Sequence, residues 1–192
     1  MSFEQEEQYD YLVKTFIIGK KGVGKTTFMK LLNPPSFKFD YNTQLTIGVD
    51  FYFYDYSFKS NNINKSARFQ IWICNLESRF KQIVLYYLCG SLVILLMFDV
   101  SNLNSLKEID EWIELIKKQS LGDLPILLLG NKADLTEHLE SAKLLADSIV
   151  DKHHLLGYLE ISALKSSNLE IIIDTIAKTV LQRFEPNFKK EN

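Results

Sequence analysis

The chain has 192 residues, 46% hydrophobic and 24% charged, proportions of an ordinary globular domain that exclude disordered, collagenous and coiled-coil chains. Its formal net charge of -2, with Lys and Arg spread along the sequence, excludes a broad nucleic-acid footprint. Glycine is scarce, 8 in 192 residues, yet Gly19, Gly22 and Gly24 fall in one short stretch.

In chain order, residues 1–11 read as an acidic tail (Glu4, Glu6, Glu7, Asp10), opposite in character to a secretory leader. Val13–Ile18 is a β-branched and aromatic run that predicts a strand, and it leads straight into the glycine stretch and then a helical one. Further strands are predicted at Val49–Phe58, Phe69–Cys74, Leu92–Phe98 and Ile126–Leu129, with a weaker one at Tyr158–Ile161. The polar linker Ser60–Ser66 has no helical pattern, so the strands on either side of it form an antiparallel hairpin rather than a crossover. Leu92–Phe98 and Ile126–Leu129 are apolar throughout, as central parallel strands covered on both faces must be. Helical stripes run through Leu106, Ile109, Ile113 and Ile116, through Ala142, Leu145, Ala146 and Ile149, and through Leu169, Ile172, Ile173, Ile176 and Val180. The result is one α/β domain, its sheet mostly parallel with one antiparallel edge strand.

Processing signals are negative. Cys74 and Cys89 make neither a disulfide framework nor a metal-site spacing, and the longest apolar run, Leu92–Phe98, is too short to span a bilayer. Residue 2 is Ser and the last residues carry no cysteine, so no lipid anchor is expected. These features lead to the expectation of a cytoplasmic protein that reaches a membrane only through a partner.

Gly19-Lys20-Lys21-Gly22-Val23-Gly24-Lys25-Thr26 matches G-x-x-x-x-G-K-[ST] between a strand and a helix. Glycines let the backbone wrap an anion and aim successive N–H groups at it. The following helix adds its N-terminal dipole. Lys25 would reach the β- and γ-phosphates, and the Thr26 hydroxyl would ligate magnesium. Lys21 adds a positive charge at the rim of the loop, beside the γ-phosphate or merely solvated.

A second motif, Asn131-Lys132-Ala133-Asp134, follows the buried run Ile126–Leu129 and Gly130. It falls at the carboxyl end of a strand, where open α/β sheets bind ligands. Asp134 can accept two hydrogen bonds side by side from guanine N1–H and the exocyclic amino group. Adenine presents an acceptor and a donor on that edge, so a carboxylate there rejects it. Together the two motifs select GTP or GDP over ATP.

On these residues the chain resembles a small GTPase of the Ras superfamily, nearest to the Rab branch, over residues 12–184. The resemblance is carried by Gly19–Thr26, Thr46-Ile47-Gly48-Val49-Asp50-Phe51, Gln70-Ile71-Trp72, Phe98-Asp99-Val100, Gly130–Asp134 and Ile161-Ser162-Ala163. It implies a P-loop NTPase fold: a three-layer sandwich with a six-stranded sheet, one strand of it an antiparallel edge, and about five helices. Residues 185–192 would be a short C-terminal tail. The nucleotide site would draw on Gly19, Lys21, Gly22, Val23, Gly24, Lys25, Thr26, Thr27, Asn131, Lys132, Asp134, Ser162 and Ala163. Thr46, in the first switch, would join Thr26 on magnesium, and Phe39 would cover the guanine face, with Phe37 and Tyr41 as neighbouring alternatives. Phe51, Trp72 and Tyr87 match an aromatic triad through which Rab-like proteins meet effector and regulator proteins; the competing reading is sheet and helix core.

The second switch departs from the pattern. After Gln70-Ile71-Trp72 the family reads Asp-x-x-Gly-Gln; this chain reads Ile73-Cys74-Asn75-Leu76-Glu77. The lost carboxylate holds magnesium's water, a supporting role whose removal costs about 10–100-fold in metal affinity or activity. Leu76 in place of glycine restricts how closely the loop approaches the γ-phosphate. Glu77 replaces the glutamine that orients the attacking water; it can still bond that water, but as an anion beside a triphosphate. The sequence therefore implies a GTP/GDP switch with slow hydrolysis, in which Lys25 and Glu77 carry what catalysis remains. The alternative is a pseudo-GTPase that holds nucleotide structurally and presents a constant partner surface.

Overall fold

The structure, a computed structural model, describes residues 9–32, 49–75, 81–106, 108–119, 124–135, 139–165 and 168–190. Seven strands form one sheet among them: β1 (Tyr11–Gly19), β2 (Val49–Ser60), β3 (Ile63–Asn75), β4 (Val93–Asp99), β5 (Ile126–Asn131), β6 (Gly157–Glu160) and β7 (Phe188–Lys190). Their spatial order is β6-β5-β4-β1-β3-β2-β7. The five strands from β6 to β3 run parallel, while β2 is antiparallel to both β3 and β7. Five helices accompany them: α1 (Lys25–Leu32), α2 (Lys81–Tyr87), α3 (Ile109–Gln119), α4 (Leu139–His153) and α5 (Leu169–Leu181).

Strand alternation sends β1 and β4 side chains into two cores. Val13, Ile17, Leu95 and Met97 pack with Phe28 and Met29 of α1 and with Ile172, Ile173 and Ile176 of α5. Phe16, Ile18, Ile94, Leu96 and Phe98 pack on the other face with Val84 of α2, Trp112 and Ile113 of α3 and Ala142 and Ala146 of α4. Burial on both faces explains why β4 is apolar from Val93 to Phe98. The predicted α3 and α5 stripes are buried throughout. In α4 the prediction is corrected at Leu145, which is exposed; two alanines let the helix lie close to the sheet, and Leu145 falls beyond the contact.

The hairpin is as expected, but its linker is much shorter than Ser60–Ser66. Strand pairing continues to Ser60 opposite Ile63, and the turn is Asn61-Asn62 with φ of 52° and 64°. A two-residue turn with both central residues left-handed matches the twist of the strands, and asparagine tolerates that conformation.

Two expectations about the sheet are corrected by β7. The sheet has seven strands, not six, and antiparallel β2 is not its edge, because Phe188–Lys190 pairs with Phe58–Ser60. This strand lies in the stretch read as a tail. The Phe188 ring meets Phe58 at 5.2 Å and stacks on Tyr56 at 6.4 Å, which supplies the apolar contact that a three-residue strand needs. Ahead of it the Glu185 carboxylate, buried, accepts hydrogen bonds from Lys65 Nζ and the Tyr11 hydroxyl. These bonds, Lys65 first, hold its pKa down to about 2. No helix among the described residues is long and apolar enough to cross a membrane.

Candidate nucleotide site

The predicted phosphate and base motifs come together at the carboxyl ends of β1, β5 and β6, with β4 between β1 and β5. β1 ends at Gly19 and α1 begins at Lys25, so residues 20–24 make the turn between them. Gly24 has φ of +103°, and a Cβ there would lie 2.1 Å from Asn131 Nδ2. Only glycine allows both the backbone conformation and that approach. Lys25 is 5% exposed, and its ammonium donates to the carbonyls of Gly19 (2.7 Å) and Lys20 (2.9 Å). A buried ammonium must be satisfied in this way, and the bonds hold its charge across the mouth of the loop. Thr26 and Thr27 are exposed at the start of α1. Lys21 and Gly22 are also exposed.

Val23 enters the site through its backbone. Its side chain is in the core, and its carbonyl accepts a hydrogen bond from Asn131 Nδ2 at 2.8 Å. At the other end of the same amide, Asn131 Oδ1 accepts from the Ala163 N–H at 2.9 Å. Asn131 is 1% exposed, so these two bonds satisfy a buried amide and clasp three loops together. The motif's first residue thus joins the phosphate loop to the base loop.

Asp134 sits in a short 3-10 turn, Ala133–Leu135, and its Oδ1 accepts from Ser162 Oγ at 2.5 Å. A carboxylate oxygen has more than one acceptor site, so Ser162 orients Asp134 and leaves it able to accept base donors. Ala133 N–H donates to the Ile161 carbonyl at 3.1 Å, which keeps the two loops in register. Lys132 takes a left-handed φ of 66° and extends its ammonium to Asp99 Oδ2 at 2.7 Å. Burial alone would raise the Asp99 carboxyl, but hydrogen bonds from Lys132 and Ser101 outweigh it and lower the pKa. Lys132 and Asp134 therefore point their polar groups at the same strand-end region, each held by a neighbour.

Sequence reasoning missed two residues that shape the loops. Lys20 Nζ pairs with Glu108 Oε1 at 2.8 Å and donates to the Asn104 carbonyl at 3.4 Å, tying the phosphate loop to the segment before α3. Asp99, at the end of β4, is the partner of Lys132. Neither pairing has a local signal, because each depends on which strand ends the sheet brings together.

The second-switch region contrasts with this. Ile73 is 4% exposed and packs in the same core as Ile17, Val23 and Phe28. Cys74 faces the opposite core, and burial pushes its thiol up to about 12. At the position where the resemblance calls for a carboxylate, the structure has an apolar core residue. The residues present fit the ion only in part: Thr26 is exposed at the start of α1, but nothing acidic stands at Ile73. Phe39, Thr46 and Glu77 lie outside the described residues.

Phe51, Trp72 and Tyr87 do meet. Trp72 lies 5.6 Å from Phe51 and stacks on Tyr87 at 5.7 Å, and Phe51 continues edge-on into Phe53 at 5.6 Å. All are half-buried, intermediate between the core and surface readings. Lys14 underlies them: its ammonium lies 5.2 Å from the Trp72 ring centre and donates to the carbonyls of Tyr87 (2.7 Å) and Cys89 (2.8 Å). The signal was available in Leu12, Lys14 and Phe16, a lysine between apolar positions on one strand face.

A family model described as the Ras family matches residues 14–182. Among curated relatives, "Ras-related protein Rab-4" of Dictyostelium discoideum is 35% identical over 176 residues, 91% of this chain and 82% of that protein. "Ras-related protein Rab-11B" of the same organism is 31% identical over 170 residues, covering 88% and 74% of the two chains. Human "Ras-related protein Rab-8B" is 29% identical over 187 residues, 96% and 86%. With the phosphate loop, the base motif and the sheet order in place, the chain belongs to the Ras family of P-loop small GTPases and is Rab-like within it.

Proposed function

We propose that this chain is a guanine-nucleotide switch that binds GTP and GDP through the assembled loops and hydrolyses GTP slowly. The observation that supports it most is the Asn131 clasp, bonded to Val23 of the phosphate loop and Ala163 of the base loop. It fixes the spacing between where phosphates and base would be held, and such a fixed spacing limits the ordering that binding requires. Lys25 would hold the β- and γ-phosphates, Asp134 the guanine edge and Ala163 N–H its O6. Magnesium would be held weakly by Thr26 and Thr46, and Glu77 is the side chain left near the attacking water. Phe51, Trp72 and Tyr87 would form the surface for effector or regulator proteins.

Equilibrium titration with fluorescent GDP, followed by competition with GTP and ATP, tests the binding. Displacement by GTP and not by ATP at equal concentration is the expected result; equal displacement by ATP would overturn the base assignment.

The burial of Ile73 favours a second reading of the same site, a pseudo-GTPase that holds nucleotide as a structural ligand. The two readings differ in turnover and in whether the partner surface responds to the nucleotide. Partner binding that is identical in the GDP- and GTP-loaded protein would select the pseudo-GTPase.

A further inference from the structure

We infer that this chain retains guanine nucleotide without a divalent cation, and that Lys21 supplies at the phosphates part of the charge the ion would bring. The inference rests on the nucleotide reading above and concerns how the charge of that ligand is met.

At the end of β3 the structure has replaced a metal-supporting acid with packing. Ile73 is one of the buried residues that join β1, the phosphate loop and α1 into one core. A carboxylate in its place would be buried among apolar side chains, where an unpaired charge is costly. The acid opposite it in the hairpin register, Asp50, is exposed on β2. An ion at the phosphates would thus lack the outer carboxylate that orders its water, a loss that weakens metal binding.

The phosphate loop carries three lysines whose surroundings differ. Lys25 is buried and bonded to the loop's own carbonyls. Lys20 is paired with Glu108, so its charge is already met. Lys21 is exposed at the tip of the loop, and no carboxylate among the described residues is paired with it. A polyanion in the loop would therefore meet, next to the loop's backbone amides, a cation that no described carboxylate compensates. Such a cation attracts phosphate at short range and is screened by salt only where exposed. A lysine tethered to the loop needs no outer carboxylate, so it acts where a weakly held ion would not.

The test measures GDP and GTP affinity of the full chain in magnesium and in excess EDTA. Affinities within about threefold of each other are expected. A loss of about tenfold or more in EDTA would overturn the inference while leaving the guanine-nucleotide reading intact. No binding in either buffer would overturn both. Lys21→Ser is expected to bind about tenfold more weakly in EDTA, with the deficit shrinking at high salt. Lys21→Arg, which keeps the charge, should bind within about twofold of the wild type. Thermal unfolding of nucleotide-free protein separates a folding defect from a binding one, and a well-folded Lys21→Ser chain with wild-type affinity would overturn the role given to Lys21.

Discussion

Two strand ends in one sheet, those of β5 and β3, have gone opposite ways. β5 ends in Gly130-Asn131, where a buried amide donates to one other loop and accepts from a second. β3, separated from it by β4 and β1, carries Ile73-Cys74 just before its end, with one side chain in each apolar core. A polar strand end positions loops and remains specific, because every group needs its partner. An apolar strand end adds stability and gives up chemistry. On the proposed reading, the first arrangement stands where nucleotide would be gripped and the second where the γ-phosphate would be sensed.

The largest effect that can break this comparison is on the β5 side. Asp134→Ala would remove the proposed guanine-edge acceptor, and GTP affinity should fall by about 100-fold or more, since a site built to hydrogen-bond a ligand loses heavily when one side is absent. Competition titration checks it; an unchanged preference for GTP over ATP would remove Asp134 from the base site. Asn131→Ala leaves the Val23 carbonyl and the Ala163 N–H without a buried partner. A destabilisation of about 2–4 kcal/mol is expected, read by urea denaturation, together with weaker nucleotide binding.

On the β3 side, Ile73→Ala should cost about 2–4 kcal/mol of stability through the cavity it leaves, yet alter nucleotide affinity by less than about threefold. A variant that loses nucleotide at full stability would mean that Ile73 belongs to the site rather than the core.

How far the sequence exposed this contrast follows from where each contact sits along the chain. The phosphate loop is contiguous, so its residues and their chemistry could be read directly, and the apolar runs gave the parallel strands and their two buried faces. The substitution at Ile73 was equally visible. Its burial was not, because that depends on the core that β3 shares with α1. The Asn131 clasp spans residues far apart in sequence and appears only once β1, β5 and β6 are side by side. Strand β7 has three residues, too few for a periodicity, and its hold comes from Phe188 and the Glu185 network. Asn61-Asn62 lies inside a run of polar residues, and composition alone does not mark which two of them form the turn.

The smallest effect concerns the segment that caps β2. The Glu185 pKa is lowered in the folded protein by Lys65 and Tyr11. Its contribution is therefore fully present above the unfolded value of about 4.3 and is lost as pH falls towards about 2. Hydrogen-exchange protection at Phe188–Lys190, taken relative to the intrinsic rate at each pH, should fall across that window, and Glu185→Gln should remove that fall. An equal loss of protection in the variant would assign the effect to other acids.

The contrast between the two strand ends is tested most directly by single-turnover phosphate release from GTP-loaded protein, run beside the Dictyostelium Rab-4 relative. A rate at least about tenfold below the relative's, with GTP still bound, is what the replacement at Ile73 predicts. A rate equal to the relative's would contradict it.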